Sequence, residues 1–295
     1  MTAVAGTIEE VRAAVRKARA AGHRVGLVPT MGTLHAGHVS LIRAARNETG
    51  FVVVSIFVNP AQFGPGEDYE TYPRPLEEDL EVCRAEGVDL AFAPDASEMY
   101  PSGFATTVHM TGMTEKMCGA ARPGHFDGVS TVVAKLFGIV EPDAAYFGEK
   151  DAQQLAVVRR MVRDLNVPVE IRGCSLVRDA DGLATSSRNA YLSADERQRA
   201  LVLHRALAGA RQRISDGERD AKRIADEVRR QIADTGGVNL EYVAVVDPDS
   251  LEDLTEIGNQ VLVAVAARVG SARLIDNVLL RGLRDRGGKG RKKTC

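Results

Sequence analysis

The sequence has no run of about 18 apolar residues, so we expect no membrane span and no membrane partner. Its four cysteines form no C-x-x-C pair and show no spacing typical of metal ligands. We therefore expect thiols in a reducing, cytoplasmic compartment. The first residues also lack the apolar block of a secretory signal peptide. Two common phosphate-binding loops, G-x-x-x-x-G-K-[ST] and G-x-G-x-x-G, are absent, so any nucleotide site must be built differently.

Excess charge is lacking as well, because the formal net charge is −2 over 295 residues. This near balance argues against a general nucleic-acid binder. A local exception is the basic tail, residues 284–295, which we expect to be a disordered terminus; a nucleic-acid-binding arm is the alternative. The hydrophobic fraction of 44% predicts a globular protein with a substantial core.

Residues 1–176 alternate apolar, strand-like runs with helical patterns. Strands that are apolar throughout and separated by helices predict a parallel sheet covered on both faces. The expected fold is a doubly wound, Rossmann-like α/β domain whose ligands lie beyond the carboxyl ends of the strands. The predicted strands are 25–29, 52–58, 88–93, 144–147 and 169–174, and the predicted helices are an amphipathic one within 1–22 and those near 39–47, 76–86, 129–140 and 151–165.

After residue 176 the pattern changes to two helices followed by three strands. The helices are predicted from 193 to about 214 and over 219–233, and the strands over 240–246, 261–265 and 272–279. Helices followed by a run of strands predict a smaller α+β domain over 177–283, which we expect to act as a lid.

A pair of histidines follows the first apolar run, in Pro29-Thr30-Met31-Gly32-Thr33-Leu34-His35-Ala36-Gly37-His38. A helix that carries His35 and His38 places both imidazoles on one face, near its N-terminus, where backbone N–H groups favour anions. Gly37 would let a ligand approach the backbone closely. The alternative is two ordinary capping histidines.

Two later segments also suit phosphate. Lys150, in Gly148-Glu149-Lys150-Asp151, offers a compact positive charge, and Gln154 lies on the same helical face as Asp151. Thr185-Ser186-Ser187-Arg188 offers hydroxyl donors and a guanidinium that can grip phosphate oxygens in pairs. A solvated helix start and a polar interdomain turn, respectively, are the alternatives.

Other polar residues suit a small organic acid or a metal ion. Asn59 and Gln62 follow the second strand among apolar residues, a mixture that favours a small polar acid. Glu78 and Asp79 could help to hold a magnesium ion on the phosphates, with a surface helix face as the alternative. His125 lies in a loop before an apolar helix and could face the substrate.

With these segments in view, the chain resembles the pantoate–β-alanine ligase family, within the H-x-G-H nucleotidyltransferase-like superfamily. The resemblance covers roughly residues 20–280. Four motifs carry it, in the family order: PTMGTLHAGH, SIFVNPAQFGPGEDYETYPR, YFGEKDAQQL and DGLATSSRNAYLS. Where related H-x-G-H synthetases carry a K-M-S-K-S loop, this chain has Thr185-Ser186-Ser187-Arg188, which matches the pantothenate branch.

The resemblance implies an ATP-dependent condensation of (R)-pantoate with β-alanine through pantoyl adenylate, releasing AMP and pyrophosphate. It also implies Mg²⁺, a homodimer and a mobile region over 64–72. His38, His35, Lys150 and Arg188 would be catalytic, and Gln62, Gln154, Asn59 and His125 would bind substrate. The implied ATP contacts are Met31, Gly32, Thr33, Leu34, His35, Ala36, Gly37, His38, Gly148, Glu149, Lys150, Asp151, Val177, Thr185, Ser186, Ser187 and Arg188.

Two other functions share some of these features. A nucleotidyltransferase that releases a stable nucleotide-bearing product would need the histidine pair but neither the two glutamines nor an amine acceptor. A non-catalytic nucleotide sensor could use the basic tail to bind nucleic acid.

Overall fold

The computed structural model describes residues 2–283, so the predicted basic tail lies outside the described residues. Its larger part is a sheet of six parallel strands with helices between them. In chain order its elements are β1 (Ala3–Ala5), α1 (Ile8–Ala20), β2 (Val25–Thr30), α2 (Ala36–Glu48), β3 (Phe51–Ile56), α3 (Leu76–Ala85), β4 (Leu90–Phe92), α4 (Ala96–Met99), α5 (Cys118–Ala121), α6 (His125–Val140), β5 (Ala144–Gly148), α7 (Ala152–Asp164) and β6 (Glu170–Cys174).

The strand order is β1-β4-β3-β2-β5-β6, which confirms the doubly wound prediction. From β2 the chain builds outward through β3 and β4, then crosses back to place β5 on the other side of β2. Leu27 of β2 is in register with Val53 of β3 and Ala145 of β5. The carboxyl ends of β2 and β5 therefore flank the point where the winding direction reverses, which is where such sheets bind ligands.

The central strands are apolar throughout because both faces of the sheet are covered. Leu27, Val53 and Ala145 are all 0% exposed. Burial on both faces removes the polar alternation of a half-exposed strand. This is why the sequence pattern located these strands correctly.

The prediction is wrong at the N-terminus, where β1 precedes α1. Thr7 ends the extended segment because its side chain accepts the Glu10 N–H while the Glu10 carboxylate accepts the Thr7 N–H, a complete capping box. β1 has only three residues and lies at the edge of the sheet, paired with β4. Such a short edge strand leaves little periodicity to detect. The short helices α4 and α5 were also not predicted.

The remaining elements form a small antiparallel sheet with two helices, as the predicted α+β domain requires. They are α8 (Ala194–Asp216), α9 (Ala221–Ala233), β7 (Val238–Val246), β8 (Gln260–Val269) and β9 (Ala272–Arg281), with β8 in the centre of the sheet. Their separate hydrophobic core includes Leu203, Leu207, Val228, Val263 and Val265. Within residues 2–283, every helix is too short or too polar to cross a membrane.

The chain divides into two compact units, and it crosses between them more than once near the boundary. The first unit runs through Ala180 and includes Ala184–Ala190, whereas the second includes Asp181–Leu183 and continues from Tyr191. The predicted boundary, 176/177, lies slightly before this division. Ser186 and Arg188 thus belong to the first unit with the other predicted phosphate contacts. A lid role for the second unit stays a prediction.

Candidate active site

The loop between β2 and α2 is held from two sides. Thr30 Oγ1 donates to the Ser55 carbonyl at 2.7 Å and accepts the Gly32 N–H at 3.1 Å. The buried carboxylate of Asp79, on α3, accepts the N–H groups of Thr33 at 2.9 Å and Leu34 at 2.6 Å. Gly32 has φ +80°, a conformation that favours glycine. Thr33 and Leu34 thus contribute backbone donors to Asp79, and the loop is fixed before any ligand binds.

The two histidines lie together as predicted, but only His38 is inside the helix. His35 is the N-cap of α2, and its Nδ1 accepts the Gly37 N–H at 3.1 Å. His38 Nδ1 accepts the His35 backbone N–H at 3.4 Å. The rings stack with centroids 4.1 Å apart. Because backbone N–H groups only donate, each ring keeps its own proton on Nε2. The capping alternative and the binding prediction are therefore compatible.

Gly37 is required for a reason that the sequence analysis did not give. A Cβ at this position would lie 2.9 Å from His35 Cε1 and 3.0 Å from Nδ1. Any larger residue would push the His35 ring out of its stacked position.

Both imidazoles are neutral at physiological pH. Burial, followed by the neighbouring His35 imidazole and the Lys150 ammonium, lowers the pKa of His38 to about 3. Burial and the Lys150 ammonium likewise lower the pKa of His35. The pair therefore offers two neutral N–H donors, and the fixed positive charge comes from Lys150.

We expect no loss of activity controlled by His38 between pH 8 and pH 5. Since the pKa of His38 lies far below the usual value of about 6.5, His38 stays neutral over that range. The check is kcat/KM for ATP against pH, with thermal unfolding followed at each pH. Unfolded histidine takes up a proton below about 6.5 that folded His38 does not, so stability falls toward acid pH. An acid limb near pH 6.5 in fully folded protein would contradict the assignment.

Lys150 lies directly after β5, in a 3₁₀ turn over Glu149–Asp151 that leads into α7. Its Nζ is 3.7 Å from Asp151 Oδ2. Gln154, one turn into α7, lines the same cavity as both residues. Because β5 neighbours β2, this turn lies beside the histidine loop.

Asp179 holds the Thr185–Arg188 segment in place through hydrogen bonds. It accepts from Thr185 Oγ1 at 2.6 Å and from Asn189 Nδ2 at 3.2 Å. Thr185 is buried, whereas Ser186, Ser187 and Arg188 line the cavity. Thr185 therefore supports the segment, and its three neighbours present the donors.

The loop over 64–72 is tied to the site by two acidic residues. Arg188 Nη2 lies 3.1 Å from both carboxylate oxygens of Asp68. Arg122 Nε donates to Glu67 Oε1 at 2.7 Å. The guanidinium expected to meet phosphate thus has an internal carboxylate partner.

His125 has both ring nitrogens occupied by protein groups. Its Nδ1 is 2.8 Å from the Gln62 carbonyl, and its Nε2 is 3.1 Å from Arg122 Nη1. Burial and the Arg122 charge lower the pKa of His125 to about 4, so it is neutral. It supports the Gln62 main chain, while its predicted contact with substrate stays a prediction.

These groups surround one cavity, whose volume is about 200 Å³. The predicted residues that line it are Met31, His35, His38, Asn59, Gln62, His125, Lys150, Asp151, Gln154, Ser186, Ser187 and Arg188. Other predicted residues do not line it: Gly32, Thr33, Leu34, Ala36, Gly37, Gly148, Glu149, Val177, Thr185, Glu78 and Asp79.

Sequence reasoning missed one wall of the cavity and an aromatic residue. Val129, Val132, Val133 and Leu136 of α6 form the apolar wall. Their helical spacing is the same as that of ordinary core residues, so no sequence signal separates the two uses. Tyr72 also lines the cavity, with its hydroxyl 3.5 Å from Ser187 Oγ and its ring under the Arg188 guanidinium.

Glu78 and Asp79 do not fit the predicted magnesium site. Both carboxylate oxygens of Asp79 accept backbone N–H groups, and the side chain lies outside the cavity lining. Burial raises the pKa of Asp79. Across residues 2–283 there is no cluster of three or more His, Cys, Asp or Glu that could hold a metal ion.

The family model for pantoate–β-alanine ligase matches residues 3–279. The chain belongs to this family. It is 54% identical over 278 residues to the pantothenate synthetase of Koribacter versatilis, covering 94% of this chain and 96% of that protein. The crystal structure of pantothenate synthetase from Thermus thermophilus superposes with a TM-score of 0.89 at 50% identity, covering 94% and 99% of the two chains.

A further solved structure shows which ligands a relative holds. The pantoate–β-alanine ligase of Francisella tularensis, complexed with β-γ ATP and β-alanine, has a TM-score of 0.77 at 32% identity, covering 95% of this chain and 98% of that one. Membership of the family shows that the chain is a carbon–nitrogen ligase. The non-catalytic sensor hypothesis is therefore wrong, and a nucleotidyltransferase with a stable nucleotide product is not favoured.

Proposed function

We propose that the chain joins pantoate to β-alanine in two steps at the cavity described above. The pantoate carboxylate attacks the α-phosphorus of ATP, and the bond to the β-phosphate breaks to give pantoyl adenylate and pyrophosphate. The β-alanine amine then attacks the acyl carbon, loses a proton and displaces AMP. Both steps need positioning and charge neutralisation more than a protein nucleophile.

The observation that carries this proposal is the convergence of two kinds of group in one cavity. His35, His38, Lys150, Ser186 and Arg188 offer N–H, ammonium, hydroxyl and guanidinium donors for phosphate oxygens. On the neighbouring side, two glutamine amides and the apolar wall of α6 suit a branched hydroxy acid.

The phosphate donors differ in role because they differ in charge. Lys150 supplies a fixed positive charge. Its stabilising effect increases as negative charge develops on the leaving pyrophosphate. The neutral His38 Nε2–H donates a hydrogen bond to the α-phosphate. Arg188 would exchange its Asp68 carboxylate for phosphate oxygens, which present the same paired-acceptor geometry.

The test of the function is product analysis. Purified protein incubated with ATP, pantoate and β-alanine should yield AMP, pyrophosphate and pantothenate in equal amounts. Omitting β-alanine should leave pantoate-dependent exchange of pyrophosphate into ATP. A stable nucleotide-bearing product in excess β-alanine would reject the second step. Absence of both pantoate-dependent AMP and pantoate-dependent pyrophosphate exchange would reject both steps.

Gln62→Ala is expected to weaken the use of pantoate by about fivefold in kcat/KM, leaving KM for ATP within a factor of two. The substitution removes one amide anchor, whose hydrogen bond is worth on the order of 1 kcal/mol. Steady-state kinetics with pantoate varied at saturating ATP give the answer. Unaltered pantoate dependence would remove Gln62 from the acid site.

Three further expectations concern Mg²⁺, the oligomeric state and the location of the protein. Mg²⁺ would have to be held mainly by ATP phosphates and water, since the described carboxylates do not form a cage for it. A homodimer is implied by the resemblance alone, and sedimentation of the purified protein would test it. A cytoplasmic location rests on the pattern of cysteines.

A further inference from the structure

Asn59 is buried behind Gln62, and each of its amide atoms has a protein partner. Only 1% of Asn59 is exposed. Its Oδ1 accepts the Tyr100 hydroxyl at 2.7 Å and the Ala61 N–H at 3.2 Å. Its Nδ2 donates to the Gly128 carbonyl at 3.1 Å and to Gln62 Oε1 at 3.1 Å.

These partners leave the Asn59 amide a single orientation. The Ala61 N–H can only donate, and the Gly128 carbonyl can only accept. Rotating the amide by 180° would set donor against donor on one side and acceptor against acceptor on the other. Such unmade buried hydrogen bonds cost about 1–3 kcal/mol each.

The fixed Asn59 amide in turn fixes Gln62. Because Asn59 Nδ2 occupies Gln62 Oε1, the Gln62 amide must turn its NH₂ group elsewhere. That group lies 3.0 Å from the Met31 sulfur, inside the cavity. A thioether is a weak acceptor, so an oxygen of an entering ligand would readily replace it. Gln62 therefore presents a donor to the substrate.

Tyr100 lies outside the cavity lining but is well anchored. Its ring contacts Phe104 and Phe57, with centroids 5.1 Å and 6.2 Å away. Lys135 Nζ lies 5.9 Å from its ring centroid. Burial raises the pKa of the hydroxyl to about 12. The hydroxyl therefore keeps its proton and can donate a hydrogen bond to Asn59.

We propose that Tyr100 is a positioning residue. Its hydrogen bond holds in place the Asn59 amide that Ala61 and Gly128 orient, and so keeps the Gln62 N–H directed toward an oxygen-bearing acid. The selected ligand class is a carboxylate or hydroxyl acceptor. This inference rests on the proposed use of pantoate. Asn59 thus connects Tyr100 to Gln62 through hydrogen bonds, in addition to its position at the cavity edge.

The test is a double-mutant cycle of Tyr100→Phe with Gln62→Ala. Tyr100→Phe removes only the hydroxyl and keeps the packed ring. In the wild-type background we expect KM for pantoate to rise about fivefold, the effect of losing roughly 1 kcal/mol of hydrogen bonding. KM for ATP should stay within a factor of two. In the Gln62→Ala background, Tyr100→Phe should change KM for pantoate by less than about twofold, because residues in one network are not additive.

The outcomes separate the inference from the function on which it rests. A similar rise in both backgrounds would show that Tyr100 acts independently of Gln62 and would overturn the inference. So would an unchanged KM for pantoate, or an equal rise in KM for ATP. KM values do not depend on the fraction of folded enzyme, so partial unfolding would not hide the result. If the wild type itself does not consume pantoate, the proposed function fails as well.

Discussion

Replacing His38 or Lys150 by alanine is expected to slow adenylate formation by at least about 100-fold each. Both side chains line the cavity, and Lys150 lies at the carboxyl end of β5 beside the histidine loop. The loss of one positioned donor or charge in a closed site typically costs a factor of about 10² to 10³. His38→Ala removes a neutral N–H, whereas Lys150→Ala removes a full positive charge. The measurement is pantoate-dependent exchange of pyrophosphate into ATP.

Two controls make this prediction specific. His109 is exposed and pairs with Asp127, and Lys222 is an exposed residue of α9. His109→Ala and Lys222→Ala should leave the exchange rate within a factor of two. Near-normal exchange in His38→Ala or in Lys150→Ala would reject the role of that residue. Thermal unfolding of each variant would confirm that it is folded.

The second large effect is expected on replacing Gly128, where the absence of a Cβ lets the main chain of another segment pack closely. A Cβ on Gly128 would lie 2.1 Å from the Ala61 carbonyl oxygen and 2.6 Å from the Gln62 nitrogen. Both are main-chain atoms of the 3₁₀ turn that carries Gln62, so the turn must move. We expect Gly128→Ala to destabilise the fold by about 1–3 kcal/mol, as overpacking does. Kinetics should show a loss of about 100-fold in kcat/KM for pantoate, since Asn59 and the α6 wall would move together with Gln62 and small misplacements of binding groups are costly.

Gly138 provides a matched control on the same helix. It lies in α6, is exposed, and a Cβ there would meet nothing within 4 Å. Gly138→Ala should stabilise the helix by about 0.5–1 kcal/mol and leave the kinetics unchanged. Thermal unfolding and steady-state kinetics on both variants would decide the matter. Equal behaviour of the two would mean that close packing at Gly128 does not matter.

The fold was predictable because its central strands are continuous apolar runs. Runs such as Val25–Thr30 and Phe51–Ile56 have no alternation and are separated by helices, which fixes a parallel sheet with covered faces. Once the sheet is parallel, residues that follow different strands must meet at one edge. The convergence of the histidine pair with Lys150 and Gln62 follows from that rule.

What could not be predicted depends on contacts between residues far apart in the chain. Asp79 reads as an ordinary acidic residue of an amphipathic helix, yet it caps a loop about 45 residues earlier in sequence. No local sequence pattern indicates the two hydrogen bonds that occupy its carboxylate. The sequence therefore offers no reason to reject Asp79 as a magnesium ligand. Tyr100 is hidden in the same way, because its partner Asn59 is 41 residues away.

The start of α1 and the N-cap role of His35 differ from these cases. Both had a local signal in the sequence. Thr7 and Glu10 have the spacing of a capping box, which places a helix start at Ile8 rather than at the first residues. His35 is followed after one residue by Gly37, whose N–H it accepts. Thr7 and Glu10 alone place the start of α1 at Ile8, and Gly37 after His35 favours the capping alternative given for the histidine pair.

The division of the chain determines where it can be cut without losing chemistry. Because the segment over 184–190 belongs to the first unit, a fragment that stops near Ala180 would carry the imidazoles and Lys150 but no guanidinium from Arg188. A protease that nicks the backbone just after Ala190 would leave every cavity-lining group on one piece. Split-enzyme designs and fragment expression should therefore place the break beyond that residue.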